Sequence, residues 1–230
     1  MRKIIAVLSL MVLVGCSAVQ PQSKMPGATW LPAEDLGKMG WWYAAFEFPW
    51  PDGEMPAWHR DLMVAHRVVA PVLQAYRNQI RYWRIHRRAA RDAAGHRFSF
   101  IFYTDPKTAS EIYAAIDSNP DLRAWRQRGS VLRVQFDDPG KITRPRIENT
   151  SDPAWPELIQ KTWPAYIMGV SEMWLALVTR LADEGAKAQE EDAYRQVQEA
   201  LDALWAANAS HAFFHHLNAI YAYQPFLTRY

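Results

Sequence analysis

The chain has 230 residues, 50% of them apolar and 22% charged, with a formal net charge of +2. That balance excludes intrinsic disorder, which needs low hydrophobicity with high net charge, and it excludes fibrous low-complexity architectures. The length suits one domain of ordinary size, or two small ones, with a true hydrophobic core.

Arg2 and Lys3 precede a mostly apolar run from Ile4 to Val14, which Leu13-Val14-Gly15-Cys16 closes. The run is too short for a transmembrane helix, which needs roughly 20 residues, and it has the layout of a secretory signal peptide over residues 1–15. The closing tetrapeptide resembles the lipobox of bacterial lipoproteins. That resemblance implies cleavage before Cys16, acylation of its thiol and a mature protein bound to a membrane through its lipid. Two or more acyl chains anchor stably where one is marginal. Ser17 stands where the family's inner-membrane retention signal carries Asp. The resemblance therefore implies sorting to the outer membrane; of its two sides the periplasmic face is expected ahead of the cell surface. Cys16 is the sole cysteine, so neither a disulfide nor a thiol site is expected in the mature chain. Without Arg2 and Lys3, 24 of the 26 basic residues face 24 acidic ones. A neutral, extracytoplasmic chain is a poor fit to nucleic acid.

Residues 16–38 carry Pro21, Pro26, Gly27, Pro32 and Gly37 among polar residues and read as a tether. Trp41 to Phe48 is dense in aromatics and reads as a strand. Residues 57–79 place Leu62, Ala65, Val69, Val72 and Tyr76 at helical spacing, with Pro71 expected to kink or divide the helix. Ile80–Arg88 and His96–Thr104 alternate as two strands. Asp105-Pro106 and Asn119-Pro120 each open a helical piece, the second ending at Gly129, and Val131–Asp137 alternates again. Strand, helix, strand, strand, helix, strand is the split βαβ, or ferredoxin-like, α+β fold: a four-stranded antiparallel sheet over residues 39–140. Residues 141–230 are expected to form a helical region packed on it. There Ala165–Leu181 is apolar nearly all round and reads as a buried central helix. Gln189–Asn208 is amphipathic and acidic, and Ser210 is a candidate cap for a last helix to about Tyr223.

Between Arg77 and Arg97 stand seven arginines (77, 81, 84, 87, 88, 91 and 97) against one acid, Asp92. Alternation puts Arg84, His86 and Arg88 opposite Trp83 and Ile85, and the next strand adds Arg97 and Tyr103. With His96, these form a candidate binding face for an anionic ligand, since guanidinium groups present forks that fit phosphate and carboxylate. The plain structural alternative pairs the arginines with the acidic stretch Asp183–Asp202. Trp83, Trp125, Trp174 and Trp205 read as packing residues, whereas Trp41, Tyr43, Trp50 and Trp58 are candidate ligand contacts. His211 and His215 share a helix face at i, i+4 but lack a third ligand and the HExxH glutamate, so no metal is expected. His59 and His66 read as core-border histidines. No phosphate loop, nucleophile elbow or cysteine cluster occurs, and no cofactor is expected.

The tryptophan-rich first strand, Arg84-Ile85-His86-Arg87-Arg88 and Gly95-His96-Arg97-Phe98-Ser99-Phe100 together resemble the elimination domain of lantibiotic dehydratases and thiopeptide-type biosynthesis proteins, from about Trp41 to Leu181. In that family, arginines on two strands and a histidine further on help remove glutamate from glutamylated Ser or Thr. Phe98 and Phe100 occupy the positions where the second strand carries its arginines, and the family's glutamyl-tRNA is a cytoplasmic substrate. The resemblance thus implies the fold and an anion-receptive face. Three functions follow as expectations. The first is a membrane-anchored envelope module that binds a protein or an anionic small molecule or lipid through the Arg/His face. The others are an envelope enzyme acting on peptide, glycan or lipid, and a structural subunit of an outer-membrane assembly.

Overall fold

Alternate residues of β1 (Gly40–Phe48), β2 (Tyr82–Ala89) and β3 (His96–Thr104) divide cleanly between two faces in the computed structural model, which describes residues 39–184 and 191–223. The expected signal peptide, Cys16 and the tether lie outside the described residues. On one face Trp42, Ala44, Phe46 and Phe48 of β1 meet Phe98, Phe100 and Phe102 of β3, with Trp83 and Ile85 of β2 beside them. On the other lie Trp41, Tyr43, Ala45 and Glu47, then Arg97, Ser99, Ile101 and Tyr103, then Tyr82, Arg84, His86 and Arg88. A short fourth strand, β4 (Arg133–Phe136), completes an antiparallel sheet of order β2-β3-β1-β4. This is the ferredoxin-like order expected for βαββαβ.

The helix between β1 and β2 runs as α1 (His59–Val64), a π-helical segment (Ala65–Val69) and α2 (Ala70–Tyr76). Pro71 does not divide it. A proline inside an α-helix collides with the carbonyl four residues back, and the wider π-helical turn just before Pro71 accommodates that conflict. After β3, Asp105 caps α3 (Pro106–Ser118) by accepting from Thr108 N at 3.0 Å. Asn119 caps α4 (Pro120–Arg128) by accepting from Leu122 N at 3.0 Å, and Gly129, at φ 78°, supplies the left-handed residue that ends it. These helices bury Val68, Val72, Ile112, Ile116 and Leu122 against the aromatic sheet face.

A turn of 3₁₀ helix (Ile147–Thr150) leads to α5 (Glu157–Glu184), followed by α6 (Glu191–Ala209), a second π-helical segment (Ser210–His215) and α7 (His216–Ile220). Ser210 does not cap a new helix: the backbone continues helically through it with no side-chain cap. Pro164 lies inside α5, and the carbonyl of Gln160, four residues earlier, accepts from Ser151 Oγ at 2.8 Å. This supplies the donor that proline lacks. Ser171 Oγ accepts from Ile85 N at 3.1 Å, so α5 lies along β2 and covers that sheet edge. The expectation that Ala165–Leu181 is a buried centre is corrected. Pro164, Ser171, Leu175, Val178 and Ala182 face inward, while Tyr166, Val170 and Met173 are exposed. No described helix is long and apolar enough to cross a membrane.

Candidate functional site

Register aligns the candidate residues in rows across the open sheet face. Arg88, Arg97, Glu47 and Arg133 form one row over all four strands, and His86, Ser99, Ala45 and Gln135 form the next. Arg84 pairs across to Ile101 and Tyr43, and Tyr82 to Tyr103 and Trp41. The structure therefore brings Arg84, His86, Arg88, Arg97 and Tyr103 onto one face, as strand alternation predicts.

Half of that face is closed by the chain itself. Trp41 Nε1 donates to Ile147 O at 2.8 Å and Tyr103 Oη to Pro145 O at 2.8 Å, which roofs both rings with the segment after β4. Arg84 Nε donates to Thr150 Oγ1 at 2.8 Å, and its guanidinium lies 5.1 Å from the Trp163 ring centroid. Arg144 lies over Tyr43 and pairs with Asp137, which also accepts from Tyr43 N. Trp41, Tyr43, Arg84 and Tyr103 are thus committed within the fold.

The other half is basic. Arg88 pairs with Asp92 at 2.6 Å, and that bond holds the Asp92 carboxyl below its ordinary range. Glu47 is shared by Arg133 at 2.7 Å and Arg97 at 3.7 Å. Burial, then the charges of Arg84 and Arg88, lowers the pKa of His86 and leaves it neutral at pH 7. Three arginines and a neutral imidazole against two carboxylates, Glu47 and Asp92, leave this surface with a net positive charge that complements anions. Among the described residues, five of the seven arginines pair with carboxylates outside the acidic stretch. Arg77 pairs with Glu172, Arg87 with Asp61, Arg88 with Asp92, Arg91 with Asp52 and Arg97 with Glu47.

His96 is a correction to the candidate face. It sits on the aromatic side, fully buried, and donates through Nε2 to Asp61 Oδ1 at 3.0 Å. Asp61, equally buried, accepts at Oδ2 from Arg87 Nε at 2.7 Å. Arg87 also donates to Trp58 O and Gln198 Oε1, between the rings of Trp58 and Trp174. This charged cluster ties α1, β2, β3 and α6 together. Trp58, a candidate ligand contact, is therefore a brace. Trp50 likewise stacks on Arg91 at 3.6 Å.

A second cluster, missed in the sequence, lies where α1 meets α6. His59 donates to Glu191 Oε1 at 3.1 Å, Arg60 donates to the same oxygen, and Ser130 Oγ donates to Oε2 at 3.1 Å. Burial lowers the pKa of His59 more than Glu191 raises it, so the imidazole is neutral. For Glu191, burial pushes upward, but hydrogen bonds from Arg60, His59 and Ser130 outweigh it and keep the carboxylate ionised. His59, Arg60, Glu54 and Arg195 line a cavity of about 330 Å³ walled by Pro49, Pro51 and Pro56. Two helical turns on, His66 binds Tyr194 Oη at 2.9 Å and Asp183 at 3.2 Å. Burial raises the Tyr194 hydroxyl to about 12. The seven-residue spacing of His59 and His66 was the available signal, because it set both imidazoles on one helix face.

The rings of His211, His215 and His216 lie 5.2 Å from one another. Among the described residues, however, no group of His, Cys, Asp and Glu has the geometry to hold a metal. Trp83 and Trp125 are buried as packing residues, whereas Trp205 is 56% exposed beside Phe213 and Phe214. No family model, curated protein or solved structure matches this chain.

Proposed function

We propose that the protein is a lipid-anchored accessory module of the bacterial envelope, acylated on Cys16 and held at the periplasmic face of the outer membrane, whose folded domain engages another envelope component. The observation that carries this reading is the apolar surface over the C-terminal helices. Leu158, Ile159, Tyr166, Val170 and Met173 of α5 are exposed, as are Trp205, Phe214, Tyr221 and Tyr223 further along. Scattered exposed apolar residues need no explanation, but a stripe along a 28-residue helix marks an interaction surface. The open half of the sheet, with His86, Arg88 and Arg97, adds a second surface complementary to an acidic protein, a small anion or a lipid headgroup.

The test is isolation of the natively acylated protein from its own membrane after mild crosslinking, with bound components identified by mass spectrometry and Cys16→Ala as the unanchored control. Reproducible recovery of one envelope complex, lost with Cys16→Ala and weakened by Arg88→Ala/Arg97→Ala, is the expected result. A folded, membrane-bound protein that recovers nothing refutes the reading.

The cavity beside α1 favours a second reading, an envelope enzyme acting on peptide, glycan or lipid. A neutral imidazole held by a carboxylate, with two guanidinium groups alongside, is the arrangement of a general base next to an anion hold. Loss of a hydrolytic activity in His59→Gln, with folding retained, would support it. Absence of turnover of any peptide, glycan or phospholipid substrate by the wild-type protein would dismiss it.

A further inference from the structure

The exposed stripe of α5 has a period and an order of sizes that its own domain does not require. Ile159, Thr162, Tyr166, Gly169, Met173 and Ala176 are all exposed and follow one another at alternating steps of three and four residues. That is the repeat of a helix seam that receives a second helix. Large and small side chains alternate along it. Gly169 stands at its middle, where a Cβ would meet nothing within 4 Å. A glycine inside an exposed helix costs about 1 kcal/mol relative to alanine, and nothing among the described residues offsets that cost.

We propose that this seam pairs with the same seam of a second copy, the two α5 helices running antiparallel about a twofold axis between Ile167 and Met168. This rests on the accessory-module reading and names one partner for its apolar surface. In that register Ile159 opposes the partner's Ala176, Thr162 opposes the partner's Met173, and Tyr166 opposes the partner's Gly169. Each large side chain meets a small one in every layer, and each contact is made twice, as a twofold interface demands. A parallel pairing in register would set Tyr166 on the partner's Tyr166 and leave Gly169 facing an equal gap. The C-terminal half of the seam also borders an open groove of about 350 Å³, lined by Leu73, Leu175, Ala176 and Thr179. Antiparallel pairing lays the partner's exposed Leu158–Ile159 end along that groove. The seam runs about 26 Å at 1.5 Å per residue. With Leu158 and Val170 at its flanks, the two copies together would cover on the order of 1,000 Å², where specific interfaces begin.

The full-length protein, extracted in mild detergent, is tested by light scattering with the detergent mass subtracted. The expected result is a protein mass twice that of one mature chain, reduced to one copy by Gly169→Leu with helical circular dichroism and cooperative thermal unfolding retained. The open space at Gly169 makes that variant harmless to the monomer. Two differently tagged chains, one carrying Ile159→Cys and the other Ala176→Cys, are co-expressed and oxidised. The expected product is a 159–176 disulfide mapped by mass spectrometry, with no 159–159 link. A wild-type monomer, a Gly169→Leu dimer or a 159–159 link overturns the proposal. If the wild type is a monomer but a photocrosslinker at Tyr166 captures a different envelope protein, the pairing falls and the accessory-module reading stands. A monomer that captures nothing removes both.

Discussion

Replacing Asp61 tests whether the buried charge cluster, rather than apolar packing alone, sets the stability of this fold. Asp61 is fully buried, and its two oxygens serve two donors, His96 Nε2 at 3.0 Å and Arg87 Nε at 2.7 Å. Asp61→Ala leaves the Arg87 charge without its counter-ion, and removing one partner of a buried pair costs about 3–5 kcal/mol. Arg87 keeps the Trp58 carbonyl, Gln198 and two indole faces, which draws the figure toward the lower end. His96 pulls the other way. Its Nδ1 is buried with no partner among the described residues, so losing Asp61 leaves the whole ring unbonded. The expectation is about 4 kcal/mol for Asp61→Ala. Asp61→Asn should cost less, because the amide oxygen keeps one donor. Urea unfolding followed by tryptophan fluorescence reads this as a fall in midpoint at unchanged slope. A change below about 1 kcal/mol for Asp61→Ala would refute the reasoning. So would a double variant with His96→Leu whose cost equals the sum of the single costs, since contacting residues are expected to couple.

The remaining expectations concern covered and uncovered parts of the same surfaces. Arg84→Ala should destabilise by about 1–3 kcal/mol through the lost Thr150 bond and the lost stacking on Trp163, measured by urea denaturation. Arg88→Ala should leave the melting temperature unchanged and alter only binding, since its partner Asp92 is exposed. Ser151→Ala should cost about 1 kcal/mol by stripping the Gln160 carbonyl in front of Pro164. Acidification should destabilise through His59 and His66, whose folded pKa values burial lowers. Such a group binds its proton more readily unfolded, so stability is full above the unfolded value of 6.5 and is lost as pH falls from there through the lower folded pKa. Unfolding midpoints at pH 7.5 and 5.5 should differ less in His59→Gln than in wild type.

Much of the fold was legible because its signals are local. Phe98, Phe100 and Phe102 recur at every second position, Asp105-Pro106 and Asn119-Pro120 announce helix starts, and Gly129 announces an end. Each works through its own backbone geometry. The course of α5 was not legible, because an all-round apolar helix satisfies two arrangements equally. One buries every face in a single chain, and the other saves one face for a partner. Small residues at Thr162, Gly169 and Ala176 distinguish the two, and they carry that meaning only after Pro164, Ser171 and Val178 are known to face inward.

The candidate site was half legible for a related reason. Strand alternation sorts residues by face but is silent about what lies over each face, so it placed Arg84 and Tyr103 correctly without revealing their cover. The same alternation, applied strictly, sets Arg87 with Trp83 and Ile85, and His96 with Phe98 and Phe100, on the aromatic side. A guanidinium there demands a buried carboxylate. The demand could be read from β2 and β3 alone. Its answer, Asp61, could not, because α1 supplies it from outside the sheet and only the packing of α1 on β2 and β3 brings the three together. Charge on an apolar face is therefore the more informative signal in this chain. An arginine on the open face allows many partners, but one turned inward has to be met, and the residue that meets it identifies the helix that must pack there.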